Sequence, residues 1–392
     1  KFFSHPVSHI RRQLGYVTNT RTMCVTIPDD KRQAFLILLR KWGSDSRRYS
    51  FTLSEAAELL GTYVYLCRVC HWGIFLFQNL YHAMAHTLSQ NAKRIWNSPE
   101  FKDTIALRDQ YSRHPVDSSK YRYFSRKVAR AIYDSKSSTF ITPSIRSEID
   151  FIIRVLSQPD VYHWESPIAH LIPRESDGDI YQDACPRGGG GFSSDLDFWW
   201  TILWLPEIYS RTQLPPSDRC FLSNNLLEYA AVILGLAGAI VAWESLPVET
   251  RPEHPLYLFW TDNMTAKAWT TKISGIKTPQ GRSLARLFAH LLMFSDIGVD
   301  ADHIEGVKNV VADFLSRLAE THDFSSFTYS QLQTRFPSLK LSRRFAPSSE
   351  LLALVFSALL KPSVDIPTTR VKLGHMITES PTLKQNFFGL SR

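Results

Sequence analysis

Four carboxylic acids occupy positions in the second half of the chain from which they could bind metal ions. Asp183 lies near the end of the strand-like run DIYQDA, and Asp262 follows the apolar run LYLFWT. Glu228 falls in the predicted first turn of a long apolar helix, and Asp313 falls in the first turns of a later helix. Carboxylates that converge from strand ends and helix starts can hold two Mg²⁺ ions about 4 Å apart, one activating water and one stabilising the leaving oxygen. The pattern therefore predicts metal-dependent hydrolysis.

A cation is required by the same set of acids. Hard oxygen ligands suit Mg²⁺, which keeps several of its waters and uses only a few carboxylates, and Mn²⁺ accepts similar ligands. Without a metal, clustered carboxylates would repel one another and raise one another's pKa. His303 stands ten residues before Asp313, with Asn309 between them. We therefore expect Mg²⁺, or Mn²⁺ in its place, as the cofactor of a site that includes His303.

An α/β layer must position these residues. Leu256–Trp260 is an apolar, aromatic run bounded by Pro255, which is typical of a buried strand with Asp262 at its carboxyl end. Sites in open α/β sheets are usually built at that end. The other predicted elements are a strand at about 179–184, a tight glycine turn at 186–191 and a strand at about 198–205. Two helices are predicted at about 226–243 and 283–294. Strands that alternate with helices predict the α/β fold class.

Each acid also has an ordinary structural explanation. Glu228 could be the third residue of a helix capped by Asn225, an N-x-x-E pattern. Asp313 could simply favour a helix N-terminus. Asp183 and Asp262 could be turn acids. Taken singly, the ordinary explanation is favoured for every acid, whereas the ordered set favours a site.

The ordered set resembles the ribonuclease H domain of retroelement reverse transcriptases. The motifs that match are DA followed by G-x-G, then L-E-x-x-A, then TDN-x-x-A, and then H-x-x-G-x-x-N-x-x-AD-x-LSR. The matching residues are Asp183-Ala184, Gly189, Gly191, Leu227-Glu228, Thr261-Asp262-Asn263, Ala266, His303, Gly306, Asn309, Ala312-Asp313 and Leu315-Ser316-Arg317. The last motif is the most specific. Cys185 departs from the pattern, because a Ser is common there.

The resemblance implies a fold, a site and a reaction. The implied fold is a ribonuclease H-like mixed sheet flanked by helices. The implied metal ligands are Asp183, Glu228, Asp262 and Asp313. His303 would assist proton transfer or product release, and Asn263 and Asn309 would lie near the nucleic acid. The implied reaction is Mg²⁺-dependent endonucleolytic hydrolysis of the RNA strand of an RNA–DNA hybrid, which is recognised by 2′-hydroxyl and phosphate contacts.

The resemblance extends upstream and divides the chain into four parts. Residues 1–30 look like a remnant of a reverse-transcriptase palm hairpin, 31–158 like a helical thumb or connection region, 159–325 like the ribonuclease H domain, and 326–392 like a tail with one helix. The spacing is closer to DIRS-like elements than to gypsy-like ones. The Tyr-x-Asp-Asp motif of the polymerase is absent from the sequence, so we do not expect this fragment to polymerise DNA by itself. The expected partners are nucleic acid and the rest of a retroelement polyprotein.

Positive charge is concentrated in the first part of the chain. Residues 1–150 contain 23 Lys and Arg against 12 Asp and Glu, whereas the rest contains 22 against 25. This imbalance suggests a polyanion-binding surface beside a carboxylate-bearing site. The segment 120–127 interleaves cations with aromatics, which suits phosphate contacts and base stacking. The candidate contacts are Lys120, Arg122, Arg126 and Lys127. An amphipathic helix with a charged outer face explains the same segment equally well.

Cysteine usage and hydropathy predict the compartment. Five Cys residues, an odd number without a regular framework, indicate a reducing intracellular compartment, nucleus or cytoplasm, rather than secretion. The uncharged run Tyr229–Trp243 has 15 residues, and Glu228 and Glu244 bracket it. A membrane span needs about 20 residues. We therefore predict a buried core helix and no membrane association.

Two other classes of protein compete with a nuclease. A decayed or domesticated retroelement fragment would keep the fold and bind nucleic acid without catalysis. The retention of all four acids favours activity over this alternative. A DNA transposase or integrase of the same superfamily would normally show three acids and no H-x-x-G-x-x-N segment, so it ranks lower.

Overall fold

The chain divides into two compact units. The N-terminal unit comprises residues 1–18 and 26–165, and the C-terminal unit comprises residues 19–25 and 166–392. The predicted domain boundary at residue 159 falls within 159–164, outside the described residues. The computed structural model describes residues 10–13, 15–112, 118–134, 138–158, 165–271, 276–318, 327, 329–339, 341–361, 367 and 369–378.

The first part of the chain is mainly helical, as the sequence predicts. The strands described before residue 158 are β1 (Ile10–Gln13), β2 (Tyr16–Asn19), β3 (Cys24–Thr26), β4 (Ser50–Thr52) and β5 (Ser138–Phe140). The helices are α1 (Asp29–Arg40), α2 (Leu53–Cys67), α3 (Gln78–Trp96), α4 (Lys102–Ser112), α5 (Ser118–Tyr133) and α6 (Pro143–Ser157), with 3₁₀ turns at His71–Phe75 and Pro99–Phe101. Strands β4 and β5 pair antiparallel.

Two helix starts in the N-terminal unit are capped by carboxylates. Helix α2 starts with a capping box: the Glu55 N–H donates to Thr52 Oγ1 at 3.3 Å, and the Thr52 N–H donates to Glu55 Oε2 at 2.8 Å. Helix α3 has no cap from its own N-cap residue, Phe77. Instead Glu148 of α6 accepts the backbone N–H of Asn79 at 2.8 Å. Carboxylates suit this place because the first backbone N–H groups of a helix lack partners within the helix.

The C-terminal part is built on a seven-stranded mixed sheet. From residue 165 the strands are β6 (Glu165–Pro167), β7 (Gly178–Ala184), β8 (Gly188–Ser193), β9 (Phe198–Leu203), β10 (Leu256–Thr261), β11 (Gly298–His303), β12 (Arg343–Pro347) and β13 (Gly374–Thr378). The sheet order is β11-β10-β7-β8-β9-β12-β13. Strands β7, β8 and β9 are antiparallel neighbours, whereas β10 runs parallel to both β7 and β11. The predicted α/β class is therefore confirmed for this unit.

Helices flank the sheet. They are α7 (Ile168–Leu171), α8 (Pro206–Thr212), α9 (Asn224–Glu244), α10 (Met264–Thr271), α11 (Pro279–Met293), α12 (Val310–Ser316), α13 (Tyr329–Arg335) and α14 (Ser349–Leu360), with a 3₁₀ turn at Gly306–Lys308. Helix α9 packs against β7, β8, α10 and α11. It is long and apolar enough to cross a membrane, but 89% of its apolar window is buried within the protein. The predicted burial of this helix is confirmed.

The glycine run after β7 is not the tight turn that the sequence predicts. Only Cys185, Pro186 and Arg187 lie between the strands, and Gly188–Gly191 form the first four residues of β8. The reason is the close approach of α12. A Cβ atom on Gly190 would lie 2.5 Å from the carbonyl carbon of Leu315, and one on Gly188 would lie 2.9 Å from the Ser316 carbonyl oxygen. Glycine is needed in this strand because another backbone packs directly on it.

The region predicted as a tail with one helix contains more regular structure. Helix α14 (Ser349–Leu360) lies in this region, but α13, β12 and β13 lie there too. Strand β12 pairs parallel with β9 and antiparallel with β13, so both extend the central sheet. The sequence gives a weak strand signal here because β12 is only five residues long and contains two Arg and a Pro. Such features are tolerated near a sheet edge.

Candidate metal site

Three acids meet at one edge of the central sheet. Asp183 is on β7, Asp262 directly follows β10, and Glu228 is on α9, which packs against β7. Strands β7 and β10 are parallel, with Tyr181 opposite Trp260. Asp183 and Asp262, each two residues further on, therefore leave the sheet at the same edge. One carboxylate oxygen from each of the three acids lies within 4.8 Å of the others.

Glu228 is the most deeply buried of the three acids. Its exposed fraction is 2%. Asn224 Nδ2 donates to Oε1 at 3.2 Å, but Oε2 has no hydrogen-bond partner among the residues that the structure describes. Burial raises the pKa of Glu228 well above its ordinary value, and the charges of Asp183 and Asp262 raise it further, against smaller lowering effects of the Ala184 backbone N–H and the Asn224 side chain. The neighbours of Glu228 therefore compensate little of the negative charge that its carboxylate carries when ionised.

The explanation of Glu228 as the third residue of a helix capped by Asn225 is wrong. Helix α9 begins at Asn224, with Ser223 at its N-cap, so Glu228 is the fifth helical residue. The side chain of Asn225 instead accepts a hydrogen bond from Asn263 Nδ2 at 2.9 Å. Glu228 therefore lies in the second turn of the helix, beyond the reach of a capping box, and faces the other two acids.

Asp183 is buried beside Glu228. Its exposed fraction is 5%. Burial raises the pKa of Asp183 to about 6, and the charges of Asp262 and Asp313 act in the same direction, whereas a hydrogen bond from Ser316 lowers it. Ser316 Oγ donates to Asp183 Oδ2 at 2.5 Å. Mutual repulsion of this kind is relieved by a bound cation.

Asp262 and His303 complete the exposed side of the site. Asp262 is partly exposed. The loop after β11 passes against it, since a Cβ atom on Gly306 would lie 3.0 Å from Asp262 Oδ2. His303 ends β11 opposite Thr261, and its Nε2 lies 3.1 Å from the backbone carbonyl oxygen of Asp262. His303 thus lies beside Asp262, at the carboxyl end of β11.

Asp313 stands apart from the three converging acids. It lies on α12 and its charge acts on Asp183, yet it is not a member of the three-acid group. Its carboxylate is 45% exposed, and Arg317 Nε donates to its Oδ1 at 2.6 Å. Of the four metal ligands that the resemblance implies, the structure therefore brings three together and pairs the fourth with an arginine.

The two asparagines of the predicted nucleic-acid set have structural contacts. Asn263 Oδ1 accepts the backbone N–H groups of Thr265 and Ala266, each at 3.0 Å, and so caps the start of α10. Asn309 is 2% exposed, and its Nδ2 donates to the Gln182 carbonyl oxygen at 3.1 Å. Asn309 thus ties the loop before α12 to β7, and its burial does not favour direct contact with a nucleic acid.

The basic candidates lie on α5 in the N-terminal unit. This helix buries Val128 and Ile132 and exposes its cations. The exposed cations include Lys120, Arg122, Arg126 and Lys127. Tyr121 and Tyr123 on the same helix are 39% and 63% exposed. The face offers both charge and rings to a polyanion, yet the burial pattern is also that of an ordinary amphipathic helix, so both interpretations stay open.

Sequence reasoning missed Ser316, Asn224 and Arg317 as residues that contact the acids. A signal existed for two of them. Ser316 and Arg317 belong to the quoted LSR motif, and Arg317 stands four residues after Asp313, the spacing of a helical ion pair.

The assembled carboxylates fit a hard divalent cation. They offer oxygen ligands only, and Glu228 contributes a buried oxygen without a donor. Such a centre could activate water for hydrolysis. Comparison of the chain with protein-family models, with curated proteins and with solved structures finds no match.

Proposed function

We propose that the C-terminal unit is a Mg²⁺-dependent nuclease of the ribonuclease H type, which hydrolyses the RNA strand of RNA–DNA hybrids. The observation that carries this proposal is the convergence of Asp183, Glu228 and Asp262 within 4.8 Å, with Glu228 Oε2 buried and unpartnered among the described residues. The mixed sheet flanked by helices supports a ribonuclease H-like fold. The ordered motifs of the sequence support the same assignment.

Each residue of the site has a separate task in this proposal. Asp183, Glu228 and Asp262 hold Mg²⁺, or Mn²⁺ in its place. The bound metal supplies activation of water and stabilisation of the leaving oxygen. His303, whose Nε2 lies 3.1 Å from the Asp262 carbonyl oxygen, assists proton transfer or product release in this proposal. Asp313 is the remaining acid of the set; Arg317 pairs with its Oδ1, so Oδ2 is the oxygen that would bind a metal.

The chain is, in this proposal, part of a retroelement reverse transcriptase. Its partners are the hybrid and the rest of the polyprotein, and it works inside the cell, in nucleus or cytoplasm, without a membrane. Hybrid recognition rests on 2′-hydroxyl and phosphate contacts. The exposed cations of α5 are candidate phosphate contacts.

The deciding experiment is cleavage of a labelled RNA–DNA hybrid by the full chain with Mg²⁺ or Mn²⁺. We expect the Asp262→Asn variant to lose more than the ~100-fold that removal of an outer partner of a metal ligand can cost. Asp300→Asn is the matched control, because Asp300 is an exposed acid on β11 outside the three-acid group. The proposed nuclease activity would be refuted by a wild-type chain that does not cut the hybrid, or by an Asp262→Asn variant that cuts it equally well.

A non-catalytic nucleic-acid-binding protein is the second candidate. The observation that favours it is the position of Asp313, whose carboxylate is bound by Arg317 instead of joining the other acids. This candidate predicts hybrid binding that weakens steeply with salt, together with no cleavage in either metal. The cleavage assay and a binding titration at two salt concentrations separate the two functions.

A further inference from the structure

Ser316 makes a direct contact with an acid of the site. It is the last residue of α12 and is 1% exposed. Its Oγ lies 2.5 Å from Asp183 Oδ2 and 2.9 Å from the Asp313 carbonyl oxygen. Asp183 carries one of the three converging carboxylates, so this hydroxyl is bonded to a proposed metal ligand without being one itself.

The backbone around Ser316 is held in place by other groups. Thr201 Oγ1 donates to the Leu315 carbonyl oxygen at 2.8 Å, and Cys185 Sγ donates to the Ser316 carbonyl oxygen at 3.2 Å. The bare glycines of β8 let this turn lie directly on the sheet, because a Cβ atom on Gly190 would meet Leu315 at 2.5 Å. The backbone of this turn is therefore held by Thr201, Cys185 and the packing on β8, and does not depend on the Ser316 hydroxyl alone.

The geometry points to Ser316 as a positioning residue for Asp183, an inference that rests on the proposed function of the site. By donating to Oδ2, the hydroxyl fixes the orientation of a carboxylate that faces Glu228 and Asp262, two groups of the same charge. A ligand held in its binding orientation before the metal arrives loses less freedom on binding, and partners of this kind sustain metal affinity. Ser316 thus acts on the metal through Asp183.

The test compares, in the full chain, two hydroxyl deletions that each remove one contact with the end of α12, one on α12 itself and one on β9. Ser316→Ala removes the contact with Asp183, whereas Thr201→Val removes the contact with Leu315 and leaves Asp183 untouched. The readouts are Mn²⁺ affinity, followed by electron paramagnetic resonance, and the Mn²⁺ dependence of hybrid cleavage. We expect Ser316→Ala to weaken Mn²⁺ binding about tenfold or more, the cost typical of losing such a partner. Saturating Mn²⁺ should restore most of its cleavage rate, and Thr201→Val should bind Mn²⁺ as the wild type does.

Each outcome decides the inference. Wild-type Mn²⁺ affinity in Ser316→Ala, or an equal loss in Thr201→Val, overturns the positioning role. Ser316→Cys, whose thiol is somewhat larger and a weaker hydrogen-bond donor, gives the same comparison if the alanine variant does not fold. A wild-type chain that does not bind Mn²⁺ overturns both this inference and the proposed function. A wild-type chain that binds Mn²⁺ without cutting the hybrid overturns only the proposed nuclease activity. The Mn²⁺ affinity of Ser316→Ala then decides the positioning role by itself.

Discussion

Two glutamates, one in each unit, are equally buried and have opposite surroundings. Glu148 and Glu228 are both 2% exposed. In the N-terminal unit, Glu148 accepts the backbone N–H groups of Asn79 and Leu80 and the side-chain amide of Asn79, at 2.8 to 3.2 Å. In the C-terminal unit, Glu228 accepts one side-chain amide at 3.2 Å and faces two further carboxylates.

The difference separates a structural acid from a functional one. Burying a carboxylate is costly unless hydrogen-bond donors or a cation compensate its charge. The start of α3 supplies that compensation to Glu148 from within the protein. Glu228 Oε2 receives none from the described residues, and its neighbours add negative charge. Burial alone therefore does not mark a site, whereas a buried carboxylate whose partners are missing does.

The largest expected effect is that replacing each of the two glutamates with Gln has opposite consequences for cleavage and for stability. Glu228→Gln should reduce hybrid cleavage by more than ~100-fold, because a proposed ligand is lost, and should stabilise the metal-free chain by removing a repelled charge. Glu148→Gln should leave cleavage per folded molecule unchanged and destabilise the chain by about 1–3 kcal/mol, because donors at the start of α3 lose their acceptor. Cleavage assays and urea unfolding in EDTA measure both. If the two variants shift stability in the same direction, the contrast fails.

A second prediction concerns pH. The folded chain holds the pKa of Asp183 at about 6, above the ordinary value of 3.8, so the folded state binds the proton more tightly than the unfolded state. The metal-free chain should therefore lose stability as pH rises from about 4 to about 6, by about 3 kcal/mol from Asp183, with Glu228 acting in the same direction. Urea unfolding in EDTA across this range measures the slope. Asp183→Asn should flatten it, and an unchanged slope in that variant would rule out Asp183 as the source.

The smallest effect is expected on the exposed helix α5. Arg122 and Arg126 are solvated, so replacing both with Ala should leave stability nearly unchanged, within about 0.5 kcal/mol. If they contact phosphates, hybrid binding should weaken several-fold, and the slope of log affinity against log salt should fall by about 2. Fluorescence anisotropy at several salt concentrations measures this. Arg130→Ala, another exposed arginine of α5 that is paired with Asp134, is the comparison variant. An unchanged salt slope would leave α5 as an ordinary amphipathic helix.

Much of the fold could be predicted from local pattern. The sequence predicts β10 and α9 from their apolar runs, and Thr52 and Glu55 show the pattern of a capping box. Such features can be predicted because hydrophobic periodicity and helix caps are properties of short segments. Strands β12 and β13 could not be predicted, because their place in the sheet depends on pairing with distant residues. The strand conformation of the glycine run also depends on tertiary contacts, since α12, the neighbouring strands and the side chains of Trp200 and Trp204 leave no room for Cβ atoms on β8.

The sequence by itself determined the types and order of the acids, the strand that leads to Asp262 and the ion-pair spacing of Asp313 and Arg317. Only the tertiary structure decided which acids meet. The parallel register of β7 and β10 brings Asp183 and Asp262 to one edge, and α9 presents Glu228 there. It also decided that Asp313 stays with Arg317 and that Ser316 holds Asp183. These outcomes depend on contacts between segments far apart in the chain, and no local pattern of residues encodes the distances between them.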